Sequence, residues 1–408
     1  MQLLNPNIDF LRIKSVVERK QLLLKRQILK HLYYQPDQST AVICKITNRS
    51  IPYINTVMEE LKAEGYVIEV EAAESTGGRK AGLYSVNKSV AIICTVTMEK
   101  EMTNISFFNL ANERIVEDTV FFNPISTQQK CLNNTIQMIQ KSIKSLKIKS
   151  DIILAYGFSF PGLYDVGLLS NYTYFRELEQ PLPEYLKQRL DAEIIIENDA
   201  NAITLGEYYF GKYKKRKNLL CINISDGLGM GMILQGKLYR GKNGFAGELG
   251  QIKLVSEGPL SESGKRGSLE CYVSNIALKD LVMNGISSGV ATLLKEKILE
   301  NNEKITPEIV ISTAKSGDEF CIEIIQTLGI ELGKGISVLV QLLNPEVILI
   351  HGKISQANQL LINPLKQTLD KFCLPEFLLK LKIEISKLGQ ESETLGLLSL
   401  VMQYVLHE

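Results

Sequence analysis

From about Ser89 onward, short apolar runs of strand character alternate with longer stretches at helical spacing, an order that an α/β architecture accommodates. Strands are predicted at 90–96, 104–109, 152–158, 193–196, 219–224, 230–234, 346–350 and 381–385. Helices are predicted at 127–145, 183–189, 200–210, 269–283, 321–342, 355–372 and 391–405. The first ninety residues do not share this alternation. A chain of 408 residues also exceeds what one small core organises, so at least two domains are expected, divided near residue 88.

In the leading segment, Leu23, Leu24, Ile28, Leu29 and Leu32 recur at helical spacing over 22–34, and the pattern stops before Gln35 and Pro36. Ser39 and Thr40 can cap a second, short helix that runs to about Thr47. Ser50 can cap a third, with Pro52 tolerated in its first turn. That helix buries Ile54, Val57, Met58 and Leu61, ends at Gly65, and leaves Pro52, Tyr53, Asn55 and Thr56 on its other face. A strand at 66–71, a polar glycine-rich loop at 75–82 and a strand at 83–86 follow.

Three helices and then a β-hairpin form a winged helix-turn-helix. The third helix would enter the major groove with Ser50, Tyr53, Asn55 and Thr56 at the DNA, and the hairpin tip would place Arg79 and Lys80 on phosphates or in the minor groove. Charge agrees with that placement. The net +1 of the whole chain conceals nine Lys or Arg against two acids between Phe10 and Pro52, an electrostatic footprint for phosphate. The basic loop at 212–217 reads as a solvated turn.

Other classes are disfavoured. Hydrophobic residues at 45% and charged ones at 22% suit an ordinary globular protein, and no apolar run reaches the length of a membrane span. The first residues lack the basic start and apolar stretch of a secretory signal. The seven cysteines are scattered singly, as reduced thiols are, so a cytoplasmic location is expected.

Three further stretches are informative together: Glu197, Asn198, Asp199, Ala200 and Asn201; the glycine-rich run from Gly241 to Gln251; and the run from Gly264 to Glu270. With the loop from Gly157 to Gly162 and with Gly77, Gly78 and Arg79, they match, in order, the motifs of the ROK family (repressors, open reading frames, kinases). From about residue 20 to its end the chain resembles the regulator branch of that family.

The resemblance implies a two-lobed ribonuclease-H/actin-like, sugar kinase-like domain over 89–408, with a smaller lobe at 89–202 plus 389–408 and a larger one at 203–388. It also implies that Asn198 and Asp199 bind sugar hydroxyls, with Asp199 at the position of the kinase base. Glu248 and Glu270 would bind the other hydroxyls, Gly162 would offer a backbone contact, and Gln251 would stand at a position that usually touches the sugar. The chemistry suits such a ligand, since carboxylates and amides hold hydroxyl groups at fixed angles.

The chain departs from the family's kinases in two places. Their first strand carries an Asp followed by glycines that organise Mg²⁺ and admit phosphates. Here Thr95 stands at the Asp position with no glycine after it, and the adenosine-side turn reads Ile350, His351, Gly352, Lys353. A loop from Ser225 to Gly231 keeps its glycines, which a β-turn explains without phosphate. The zinc ligands of the family fall on Gln251, Ser261, Ser263 and Ser268, which are poor donors beside thiolate and imidazole, so neither metal nor cofactor is expected. The loop at 256–267 is then either hydrogen-bonded or mobile.

The expectation is a sugar-responsive DNA-binding repressor without enzyme activity. Its partners would be operator DNA and a sugar or sugar derivative, and it would be a homodimer or homotetramer on a palindromic site. Two alternatives stay open: a residual ATP-dependent sugar kinase using Asp199 as base, and a DNA-binding protein with a vestigial pocket.

Overall fold

The computed structural model describes residues 2–5, 15–70, 82–214, 216–300 and 304–406. The leading elements are α1 (Val16–Tyr34), β1 (Gln38–Ser39), α2 (Thr40–Thr47), α3 (Ile51–Ala63), β2 (Val67–Val70) and β3 (Leu83–Val86). Helix α1 begins earlier than its apolar spacing predicts, because Ser15 caps it by accepting from Glu18 N while the first residues, Val16 and Val17, are exposed. Ser39 and Ser50 occupy the N-cap positions of α2 and α3, yet neither side chain makes the capping hydrogen bond. Helix α3 buries Ile54, Val57, Met58 and Leu61 completely, as its spacing requires. The three short strands form one sheet in the order β1-β3-β2.

Next come β4 (Ile92–Met98), β5 (Met102–Asn109), β6 (Thr119–Phe122), α4 (Gln129–Ser145), β7 (Ile153–Phe160), β8 (Tyr164–Asp165), β9 (Ser170–Asn171), α5 (Leu182–Lys187) and β10 (Glu193–Asn198). Then follow α6 (Asp199–Phe210), β11 (Leu219–Ile224), β12 (Leu228–Leu234), β13 (Lys237–Leu238), α7 (Asn275–Ser287), α8 (Pro307–Lys315) and α9 (Glu319–Leu343). The chain closes with β14 (Val347–His351), α10 (Gln359–Phe372), α11 (Pro375–Leu378), β15 (Lys382–Ile385) and α12 (Glu391–Val405).

Two five-stranded sheets carry the large part, ordered β6-β5-β4-β7-β10 and β13-β12-β11-β14-β15. In chain order both read third, second, first, fourth, fifth. In both, the first strand pairs antiparallel with the second and parallel with the fourth. This repeated mixed sheet, with helices between its parallel strands, is the duplicated ribonuclease-H-like fold of actin-type domains. The parallel strands are buried on both faces: β7 and β11 have every residue buried, hence their near-continuous apolar runs.

The chain forms two compact units. One comprises the residues up to Gly162, Leu169–Glu197 and Leu397 onward; the other comprises Leu163–Leu168 and Asn198–Gly396. Helix α12 therefore contributes its start to the second unit and the remainder to the first.

Two predicted helices are interrupted. In place of one helix at 269–283, a 3₁₀ turn at Leu269–Cys271 gives way to α7, because Ser274 Oγ accepts from Ala277 N at 3.0 Å and starts a new helix. The stretch at 355–372 divides at Asn358, whose φ of 52° no helix accepts, into a 3₁₀ turn and α10. Strand β6 and helix α8 were not predicted. Strand β6 is a half-exposed edge with little apolar signal.

Candidate functional site

The sequence-predicted residues of the second unit form one connected set. Strand β10 ends at Asn198, whose extended backbone makes it the N-cap of α6, and its Oδ1 accepts from Asn201 N at 3.2 Å. The other end of that amide donates to Asp199 Oδ1 at 2.9 Å. Asp199 thus sits in the first turn of α6, where the partial positive charge of the helix end favours a carboxylate.

Glu248 carries the clearest electrostatic signature. Crowding by the surrounding protein, then the like charges of Asp199 and Glu270, push its carboxyl up to about 7. Solvent still reaches the exposed side chain, which screens the effect without reversing its direction. Three carboxylates thus share one neighbourhood, an arrangement in which one of them holds its proton near neutral pH and can donate to a ligand oxygen.

Glu270 lies in the 3₁₀ turn that follows Ser268 and accepts from Gln251 Nε2 at 2.9 Å. Gln251 Oε1 accepts in turn from Ser263 Oγ at 3.0 Å, and Ser263 Oγ and Ser261 Oγ are 2.7 Å apart. The loop at 256–267 is therefore held by hydrogen bonds. These side chains do not fit a zinc ion: an amide and two neutral hydroxyls are weak donors already bonded to one another. The fourth position, Ser268, turns instead to Cys271 Sγ at 3.3 Å.

Gly162 belongs to the first unit. Its φ of 82° and a side chain of Thr173 lying where a Cβ would go account for glycine there. Two glycines of the stretch at 225–231, Gly229 and Gly231, also have a structural reason in their close approach to α6. A Cβ on Gly231 would run into Thr204 and the Ala200 carbonyl of α6, so β12 and α6 approach backbone to backbone. Thr95 lies mid-strand in β4, 1% exposed and opposite Ser106 and Gly157. A buried neutral hydroxyl there does not supply what a Mg²⁺-nucleotide needs.

Sequence reasoning missed Asn223 and His351. Asn223 Nδ2 stands 3.4 Å from Asp199 Oδ2, and its Oδ1 is 2.9 Å from His351 Nδ1. His351 Nε2 reaches the Gly389 carbonyl at 2.9 Å. A polar residue inside the buried strand β11 was the available signal, since an apolar strand admits an amide only when it has partners. Asp165 is a second omission: it bonds Asn243 at 3.1 Å and ties residues 163–168 to the loop that carries Glu248.

On α3, Tyr53, Asn55 and Thr56 are exposed as predicted, although Thr56 Oγ1 is turned back to the Pro52 carbonyl at 3.2 Å. Arg79, Lys80, Arg12 and Lys14 lie outside the described residues. The basic footprint is smaller than its count. Lys25 is 8% exposed and paired with Glu60 and Glu64, at 2.9 Å and 2.5 Å. Arg26 is 2% exposed and holds the carbonyls of Leu3 and Asn5. Lys45 and Arg49, at the end of α2 and just before α3, are exposed.

Comparison with known proteins decides the family, because residues 100–404 match the model of the ROK family. The chain belongs to the ROK family. A similar relative is the xylose repressor of Caldicellulosiruptor bescii, 29% identical over 94% of this chain and 96% of that protein. The DNA-binding transcriptional dual regulator NagC of Escherichia coli is 26% identical over 87% of this chain and 86% of its own length. Among solved structures, a ROK family transcriptional regulator described as a homologue of the Escherichia coli MLC protein superposes with a TM-score of 0.79. It is 24% identical and covers 95% of this chain and 97% of its own, so this ROK chain shares that regulator's fold.

Proposed function

We propose that this ROK protein is a sugar-responsive DNA-binding transcriptional repressor of carbohydrate uptake or breakdown genes. The observation that carries the reading is the extent of the likeness to a named repressor, which covers 94% of this chain and 96% of that protein. In this reading Asn198, Asp199, Glu248, Gln251 and Glu270 hold the hydroxyls of a free sugar or simple derivative. Helix α3 presents Tyr53, Asn55 and Thr56 to the major groove, while Lys45 and Arg49 contact phosphates. A homodimer or homotetramer would match a palindromic operator.

No phosphoryl transfer belongs to this reading. Asp199 could accept a proton, but Thr95 replaces the Mg²⁺-organising carboxylate, and Gly229 and Gly231 are accounted for by packing against α6.

The test is fluorescence anisotropy on a labelled duplex from upstream of the protein's own gene, at fixed salt, with D-xylose, N-acetyl-D-glucosamine and D-glucose in turn. Specific binding that one sugar shifts supports the reading. Sequence-indifferent binding, or ADP release from ATP with any of these sugars, contradicts it.

A further inference from the structure

We propose that helix α12 carries sugar occupancy to the DNA-binding module, with His351 and Tyr34 as the hydrogen-bonding residues at its two ends. The inference rests on the sugar-responsive reading above and adds the route by which the two sites communicate.

The starting point is a conflict at one amide. The Gly389 carbonyl can only accept, so His351 Nε2 carries a proton. Burial lowers the pKa of His351, with the Gly389 bond opposing, and so favours the neutral ring whose Nδ1 is an acceptor. Nδ1 then asks for the NH₂ of Asn223. Asp199 asks for the same NH₂ from the other side, at 3.4 Å. One amide has two settings here and cannot satisfy both acceptors at once. Asp199 also accepts from Asn198 Nδ2 at 2.9 Å, and a sugar hydroxyl added to this carboxylate weakens its hold on the Asn223 NH₂, which can then turn to His351. Occupancy of Asp199 is thereby registered at His351, and through it at Gly389.

Gly389 leads directly into α12. Its carbonyl also accepts from Ser392 Oγ at 2.6 Å, and its N donates to Ser386 Oγ at 3.1 Å. A second, mechanical link joins the same elements. Where α12 crosses α6, Gly206 lies against the Ser392 carbonyl and Gly396 against the Ala202 carbonyl, closer than any side chain would permit. Helix α6 begins at Asp199, so a shift of the sugar-binding end meets α12 backbone to backbone with no side chain to absorb it.

The far part of α12 bears on the leading module. Tyr34, the last residue of α1, donates its hydroxyl to the Ser399 carbonyl of α12 at 3.4 Å. Its neighbour Tyr33 donates to Asn112 Oδ1 at 2.5 Å, and the two rings meet edge to face at 5.0 Å. Helix α1 is the scaffold on which α3 is held, through the ion pairs of Lys25 with Glu60 and Glu64. A tilt or slide of α12 is thus delivered to the helix that positions the reading surface, as two-state coupling requires of a contiguous element.

The experiment measures the DNA dissociation constant of the full chain with and without saturating D-xylose, N-acetyl-D-glucosamine or D-glucose, for wild type, Tyr34→Phe and His351→Phe. The wild type is expected to change its DNA affinity by about 5–150-fold with one of these sugars, the usual range of allosteric coupling. In each variant the response is expected to fall to within about twofold of none. Tyr34→Phe, remote from the sugar residues, should leave DNA affinity without sugar, sugar affinity and melting temperature near wild type, whereas His351→Phe also strips partners from Asn223 and Gly389. A merely structural role would move those last three quantities and leave the ratio.

A full response in folded His351→Phe or in Tyr34→Phe overturns the relay and leaves the repressor reading intact. If His351→Phe does not fold, Tyr34→Phe decides alone. A wild type unmoved by every sugar overturns the repressor reading and the relay with it.

Discussion

Gln251 holds Glu270 in place: its Nε2 donates to Glu270 Oε1 at 2.9 Å, while its Oε1 takes a hydrogen bond from Ser263. A single exposed amide thereby links the Glu270 carboxylate to the loop at 256–267.

Replacing that amide by an apolar side chain should release both partners. Gln251→Leu is expected to weaken sugar binding by roughly tenfold, the worth of one hydrogen bond to a charged group. DNA binding without sugar should not change. Isothermal titration with the responsive sugar checks this, and a loss below about twofold would deny Glu270 its dependence on Gln251.

Chelation should have no effect. Because Gln251, Ser261 and Ser263 bond one another, dialysis against EDTA is expected to leave the melting temperature and the sugar response where they were. A fall restored by added Zn²⁺ would contradict the hydrogen-bonded loop.

Glu248 predicts a pH dependence with a definite sign. Its folded pKa, about 7, exceeds the ordinary 4.5, so between these values the folded protein holds a proton that the unfolded chain has released. Stability from this group is therefore full below about 4.5 and is lost as pH rises through 7. The melting temperature of wild type should fall relative to Glu248→Gln from about pH 5 to about pH 8. Parallel curves for the two proteins would show that Asp199 and Glu270 do not crowd it.

On the DNA side, position and specificity should separate. Arg49→Ala and Lys45→Ala are each expected to weaken binding across sequences and to lower the salt slope by about one. Asn55→Ala should cost about 1–3 kcal/mol on the specific duplex and little on random DNA, measured as the ratio of the two dissociation constants. An equal loss on both would remove Asn55 from base reading.

The close approach of β12 to α6 gives a stability prediction. Gly231→Ala forces a methyl into Thr204 and the Ala200 carbonyl and is expected to destabilise by about 1–3 kcal/mol in urea denaturation. A neutral result would reopen the loop at 225–231 to a ligand-based explanation of its glycines.

Much of this was legible in the residues. The spacing of Ile54, Val57, Met58 and Leu61 marked the buried face of α3, and the apolar run of 219–224 matched β11 residue for residue. What escaped was set by tertiary partners. Lys25 and Arg26 were counted in the basic footprint for phosphate, but Glu60, Glu64 and two carbonyls hold them buried. Asn223 and His351 sit far apart in sequence, on strands that pair in parallel, and only that register brings their side chains together beside Asp199. Breaks such as the one at Ser274 depend on a single capping bond that periodicity does not register.

The central claim is that the sugar and DNA sites share one free energy, and reciprocity tests it most directly. The factor by which saturating sugar changes the operator dissociation constant is measured by anisotropy. The factor by which saturating operator changes the sugar dissociation constant is measured by calorimetry under the same buffer. The account predicts two equal factors, both well away from one, as linkage requires. Two factors of one, with both ligands binding tightly, would contradict it.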